Sequence, residues 1–97
     1  MNYENFPARR ASELLYDGTQ VIDVRDPNEV VAGMIPGAVN IPLPQLEARL
    51  YQISPDRPVA VICESGNRST QAADLLVRRG FRKVVNLAGG MQAARRR

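Results

Sequence analysis

The chain has no histidine and a single cysteine, Cys63, among its 97 residues. Without histidine there is no His-containing metal site, no Cys-His protease and no Ser-His-Asp hydrolase. One thiol excludes an internal disulfide. Aromatic residues are scarce: Tyr3, Phe6, Tyr16, Tyr51 and Phe81 are all of them. None lies within a basic run, so the stacking platform of a nucleic-acid binder is missing. No apolar run approaches the roughly 20 residues that span a bilayer. The first residues, Met1 to Phe6, lack the basic start and apolar block of a secretory signal. The expectation is cytoplasmic residence with no nucleic-acid partner, no membrane partner, no metal and no other cofactor.

What is present is ordinary for a globular domain, with 44% apolar and 24% charged residues. A chain of this length holds one core, so residues 1–97 are expected to form a single domain. Net charge is +3, from 13 basic and 10 acidic residues, and all the basic ones but Lys83 are arginine. They fall in small groups, Arg9-Arg10, Arg78-Arg79, Arg82-Lys83 and Arg95-Arg96-Arg97. Scattered in this way they read as solvated faces and helix C-termini rather than as one binding stripe.

Periodicity places helices and strands in alternation. Ala8 to Tyr16 carries Ala11, Leu14 and Leu15 and stops at Asp17-Gly18, a short helix. Gln20 to Val24 is rich in β-branched residues and reads as a strand. Asp26 and Pro27 suit the cap and first position of a helical turn closed by Gly33. Pro36-Gly37 marks a turn and Val39 to Ile41 a short strand. Pro44 opens a second helix with Leu46, Leu50 and Ile53 on one face. Val59 to Ile62 is a strand, and from Ser69 the spacing of Ala72, Ala73, Leu76 and Val77 is helical up to Gly80. Lys83 to Leu87 reads as the last strand, and Ala88 to Met91 as a turn into a short tail. Such alternation at short spacing implies right-handed crossovers and a mainly parallel sheet.

Cys63 ends the strand Val59 to Ile62 and begins a polar loop, Glu64-Ser65-Gly66-Asn67-Arg68-Ser69, that leads into a helix. A thiol between a strand end and a helix start meets backbone N–H groups and the helix dipole, so it ionises below the ordinary value of about 8.5. The segment Asp23-Val24-Arg25 ends another strand at the same sheet edge, where ligands of open α/β sheets bind.

These residues resemble the single-domain rhodaneses. Val21-Ile22-Asp23-Val24-Arg25, Glu29 and Gly33 to Leu43 are similar to the first half of that family. Cys63 to Ser69 resembles its active-site loop, and Gly80-Phe81 with Asn86 to Met91 its closing segment. The likeness spans about Phe6 to Met91 and leaves residues 92–97 as a short basic tail. It implies an α/β fold, a five-stranded, mostly parallel sheet flanked by helices on both faces. It also implies a sulfurtransferase of the thiosulfate:cyanide or thiol type, in which Cys63 takes sulfur from thiosulfate or a persulfide. The resulting Cys63 persulfide passes its outer sulfur to cyanide, a thiol or a protein acceptor. No second cysteine can resolve that persulfide within the chain, so the acceptor is external.

Site roles follow from the loop. Cys63 is the nucleophile, and Glu64, Ser65, Gly66, Asn67, Arg68 and Ser69 form an anion cradle of inward-facing amides. Ser69 is a candidate helix cap and Asn40 a candidate turn former. Arg68 either ligates an anion or locks the loop through an ion pair with Glu29; the ion pair is the favoured reading. Asp23 is expected to bond backbone near the loop, and Arg25 to do likewise or to border the pocket. Glu64 places a negative charge at the mouth and opposes thiosulfate, a dianion, unless Arg68 or Arg25 offsets it.

Two positions depart from the family pattern. Met34 stands where a histidine is usual and Ala94 where a tryptophan is usual, which leaves the C-terminal edge either refilled or loose. Two rival readings stay open. Rhodanese-like phosphatases and arsenate reductases have five residues between cysteine and arginine where this loop has four. A sulfur-relay or protein-binding module without turnover would use the same fold and the same cysteine.

Overall fold

The computed structural model describes residues 2–96. Five strands form one sheet: β1 (Glu4–Pro7), β2 (Gln20–Asp23), β3 (Val39–Asn40), β4 (Val59–Ile62) and β5 (Val84–Ala88). Their order is β1-β5-β4-β2-β3 and every pairing is parallel. The helices are α1 (Ala11–Tyr16), α2 (Pro27–Val30), α3 (Leu43–Leu46), α4 (Asn67–Arg78) and α5 (Gly90–Ala94). The α/β class and the parallel five-stranded sheet are as expected.

β4 is fully buried, and its alternation sorts the core into two layers. Val59, Val61 and Cys63 join Ile22, Val24, Leu46, Ala72, Ala73 and Leu76 on the face covered by α3 and α4. Ala60 and Ile62 join Ala8, Ala11, Val21, Leu87 and Met91 on the face covered by α1 and α5. A strand buried on both faces reads as a continuous apolar run because helical crossovers cover each side. α4 turns Ser69, Ala72, Ala73 and Leu76 to the sheet, the i, i+3, i+4, i+7 stripe of a core-facing helix. Three of these four are small, which lets the helix lie close behind β4.

The strand order sets the site. After β2 the chain moves outward to β3, and after β4 it moves the opposite way to β5. The switch point of the sheet therefore lies between the carboxyl ends of β2 and β4, where α/β sheets form their binding crevice. Asp23 is in register with Ile62, and Val24 N donates to Ile62 O at 2.9 Å. Val24, Arg25 and Cys63 thus emerge side by side.

Several elements differ from the sequence reading. β1 was not expected: its residues are mostly exposed and lack apolar alternation, and it is a strand because β5 offers it an edge. The first helix is a 3₁₀ turn, Ala8–Arg10, followed by α1. The helix from Pro44 is α3 and then a 3₁₀ segment, Glu47–Gln52, broken at Arg49 (φ −114°, ψ 19°), so Ile53 lies beyond it. Ala88 to Met91 is no turn into a tail: Gly89 leads directly into α5, whose Met91, Ala93 and Ala94 pack on the core. Of the expected tail 92–97, Arg97 lies outside the described residues.

Candidate functional site

Arg25 folds back onto Asp23, and both side chains are at most 1% exposed. The Arg25 amide and Nε donate to Asp23 Oδ1 at 3.0 Å, and Nη2 donates to Oδ2 at 2.8 Å. Asp23 therefore bonds backbone beside the loop, at the Arg25 amide, and holds the Arg25 guanidinium as well. The hydrogen bonds to Asp23 hold the Arg25 guanidinium firmly protonated, above its ordinary range. Its remaining donors reach Gly33 O at 3.0 Å and Glu64 Oε1 at 3.3 Å, so Arg25 borders the mouth. Asn40 is a stitch between chain segments: its Nδ2 donates to Asp23 O and Arg25 O, both at 2.9 Å.

Cys63 is 1% exposed. Gly66 adopts φ +110°, open to glycine at little cost, and this turns its N–H to within 3.0 Å of Cys63 Sγ. Gly66 is also the N-cap of α4, so the helix begins two residues earlier than expected and Ser69 lies in its first turn. The Ser69 hydroxyl is not the cap; it sits 3.5 Å from Cys63 Sγ and 3.2 Å from Gly66 O. Burial pushes the Cys63 thiol up. The Ser69 hydroxyl and the amides of Ser69, Gly66 and Ser65 together outweigh burial, and the net shift is downward. When the sulfur ionises, the Ser69 hydroxyl can turn its proton toward it.

Arg68 grips Glu29 with two bonds, Nη1 to Oε1 at 2.6 Å and Nη2 to Oε2 at 2.8 Å. This fork ties the start of α4 to α2, and each partner is about one third exposed. Glu29 Oε1 also accepts from the Asp26 amide at 2.9 Å, closing the capping box of α2. The Arg68 contact, with the Asp26 amide adding to it, holds the Glu29 carboxyl down to about 2. The thiolate adds to the forces that keep Arg68 protonated, after Glu29.

Two contributors were missed in the sequence. Gly90, with φ +60°, opens α5 against the loop, and a Cβ there would lie 2.5 Å from both Cys63 O and Glu64 O. With that space clear, Met91 N donates to Cys63 O at 2.8 Å and Gln92 N to Glu64 O at 3.0 Å. The second is Arg95, whose Nη1 donates to Glu64 Oε2 at 2.6 Å. Glu64 is therefore paired with Arg95 first and Arg25 second; of the two expected offsets Arg25 is in place, and Arg68 is engaged by Glu29. Arg95 foremost holds the Glu64 carboxyl below its ordinary range. The Gly89-Gly90 pair was a signal of close backbone approach; Arg95 gave none.

Two clefts are not lined by Cys63 itself. One, of about 360 Å³, is lined by Thr19, Gln20, Gln52 and Arg57 at the amino end of β2. Another, of about 320 Å³, lies between Met34, Ile35, Pro36, Met91 and Ala94, where the expected histidine and tryptophan are absent. Among the described residues no cluster of acidic and thiol side chains could hold a metal ion, and no helix is long and apolar enough to cross a membrane.

Fold and site together define a class: an α/β domain with a lone thiol in an amide cradle at the switch point of a parallel sheet. The chain belongs to the rhodanese-like domain family, whose model matches residues 8–96. It is 46% identical over 77 residues to the uncharacterized protein YqhL of Bacillus subtilis, covering 79% of this chain and 61% of that protein. It is 41% identical over 73 residues to a sulfurtransferase of Allochromatium vinosum, covering 75% of this chain and 68% of the relative. The human single-domain sulfurtransferase TSTD1 superposes with a TM-score of 0.78 at 28% identity, over 96% of this chain and 94% of that one.

Proposed function

We propose that the chain is a sulfurtransferase that carries sulfane sulfur on Cys63. The observation that carries this reading is the cradle, with Gly66 N 3.0 Å and Ser69 Oγ 3.5 Å from Sγ. Donors so placed stabilise a thiolate and, one atom further out, a persulfide anion. With thiosulfate, the Cys63 thiolate attacks the outer sulfur; an S–S bond forms to Sγ and the S–S bond to sulfite breaks. The electron pair leaves on sulfite, and Cys63 keeps a persulfide anion. Cyanide or a thiolate then attacks the terminal sulfur, leaving thiocyanate or a new persulfide and regenerating the Cys63 thiolate. No base is required where the thiol is already ionised, and no cofactor enters the balance.

In this reading Asp23 and Arg25 support the mouth, and Glu29 with Arg68 locks the start of α4. Arg68 already spends both Nη groups on Glu29. That engagement argues against phosphatase chemistry, which needs a free guanidinium on the oxyanion. A relay module differs only in the acceptor, a protein thiol in place of a small molecule.

The test is thiocyanate formation from cyanide with thiosulfate or an organic persulfide as donor, and persulfide formation with a small thiol as acceptor. Turnover that disappears in Cys63→Ser supports the reading. Turnover retained in Cys63→Ser overturns it, and transfer to protein thiols alone replaces free-standing catalysis with relay.

A further inference from the structure

The rim of the thiol cradle is built from three arginines, and each is already engaged by a carboxylate. Arg25 is held by Asp23 inside the fold, and Arg68 is forked onto Glu29. Arg95 reaches across from the end of α5 to Glu64, at 2.6 Å through Nη1 and 3.3 Å through Nη2. Glu64 also takes the outward Nη1 of Arg25 at 3.3 Å. Three guanidiniums against three carboxylates leave this rim, among the described residues, with no net charge. Glu64 alone occupies two of the three guanidiniums, and it is the residue next to the nucleophile.

We propose that Glu64, latched by Arg95, is a specificity-determining residue that disfavours dianionic sulfur donors such as thiosulfate and favours organic persulfides. This inference rests on the sulfurtransferase reading and names the donor class for the same site. Thiosulfate carries two charges toward a thiolate and needs an uncompensated cation to offset the approach. The ion pairs of the rim withhold it. An organic persulfide carries at most one charge and meets a smaller barrier, and its protonated form, R–S–SH, is the species attacked. The Cys63 thiolate attacks its outer sulfur, the Sγ–S bond forms and the R–S bond to that sulfur breaks. The electron pair leaves on R–S⁻, and the proton stays on the transferred sulfur.

The surroundings also provide for the R group. The groove of about 320 Å³ between Met34, Ile35, Pro36, Met91 and Ala94 is bordered by Arg95 and by Gly33, whose carbonyl binds Arg25. It therefore begins at the same ion pairs and continues as apolar surface. An inorganic donor gains nothing from it.

The experiment compares kcat/KM for thiosulfate and for 2-hydroxyethyl persulfide in the full chain, in Glu64→Gln and in Arg95→Gln. Glu64→Gln releases Arg95 to solvent and leaves one Nη of Arg25 without a carboxylate, and the selectivity ratio of thiosulfate over persulfide rises by roughly three- to tenfold at low salt. The gain shrinks as ionic strength rises. Arg95→Gln leaves Glu64 less compensated, and the ratio falls by a similar factor. Glu64→Asp retains the charge and moves the ratio least, which separates charge from packing. A ratio that stays constant across all variants, with sulfur transfer intact, overturns the donor assignment and leaves the sulfurtransferase reading standing. A wild-type preference for thiosulfate overturns it as well. Failure of both donors to load wild-type Cys63 overturns the underlying reading itself.

Discussion

Replacing Gly90 with alanine puts a Cβ 2.5 Å from the carbonyl oxygens of both Cys63 and Glu64, and 2.7 Å from the Glu64 carbonyl carbon. All three neighbours are backbone, so no side chain can swing away. The residue also sits at φ +60°, where a non-glycine residue costs about 1–2 kcal/mol. Relief requires α5 and the loop to separate by several tenths of an ångström. That movement stretches the bonds from Met91 N and Gln92 N, each worth about 1 kcal/mol. Together these come to about 2–4 kcal/mol. For a domain of this size each kcal/mol moves the melting midpoint by roughly 4–8 °C. Thermal unfolding followed by circular dichroism should therefore show a drop of more than about 8 °C. A second readout separates this clamp from general packing. The loop that shifts is the one whose amides hold the Cys63 sulfur, so the alkylation rate of the thiol should titrate at higher pH than in wild type. A variant that melts within about 2 °C of wild type, with an unmoved alkylation profile, would refute the clamp.

Three other consequences follow from the site. Removing the Arg68 fork by Arg68→Ala should lower stability by about 1–2 kcal/mol in urea unfolding, since the pair is half-buried and bidentate; full stability with loss of donor binding would make Arg68 an anion ligand instead. Ser69→Ala removes a hydroxyl that lowers the Cys63 thiol, so the pH midpoint of alkylation by iodoacetamide should rise, and an unchanged midpoint would leave the amides as sole cause. Glu29 is held down to about 2 from 4.5, so its contribution is fully present above pH 4.5 and is lost as pH falls toward 2. Acid titration of stability in wild type and Glu29→Gln should show the two curves converging over that window, by about 1–2 kcal/mol after allowing for partial exposure.

The parts of the molecule that could be read from the sequence are those with local causes. Val59 to Ile62 is a short, β-branched apolar run opened by Pro58, the pattern of an interior strand, and a lone cysteine before a glycine-containing loop marks its end. The Arg68–Glu29 pair was legible because both residues flank the same sheet edge. The missed parts depend on contacts far apart in the chain. β1 has little apolar pattern and exists because Glu4 to Pro7 lie beside Val85 to Ala88. α5 begins with two glycines, which read locally as a turn, yet both have positive φ and the second is needed for contact with residues 63 and 64. Arg95 sat in a basic run at the end of the chain, and only the fold shows that it meets Glu64, 31 residues away.

The central claim is that Cys63 carries sulfur, and intact-protein mass spectrometry after exposure to thiosulfate or 2-hydroxyethyl persulfide tests it most directly. The account predicts a gain of one sulfur atom on the native chain and none on Cys63→Ser, with the added mass lost on treatment with cyanide or a thiol. A native chain that gains no sulfur from either donor, or a Cys63→Ser chain that gains it equally, would contradict the account.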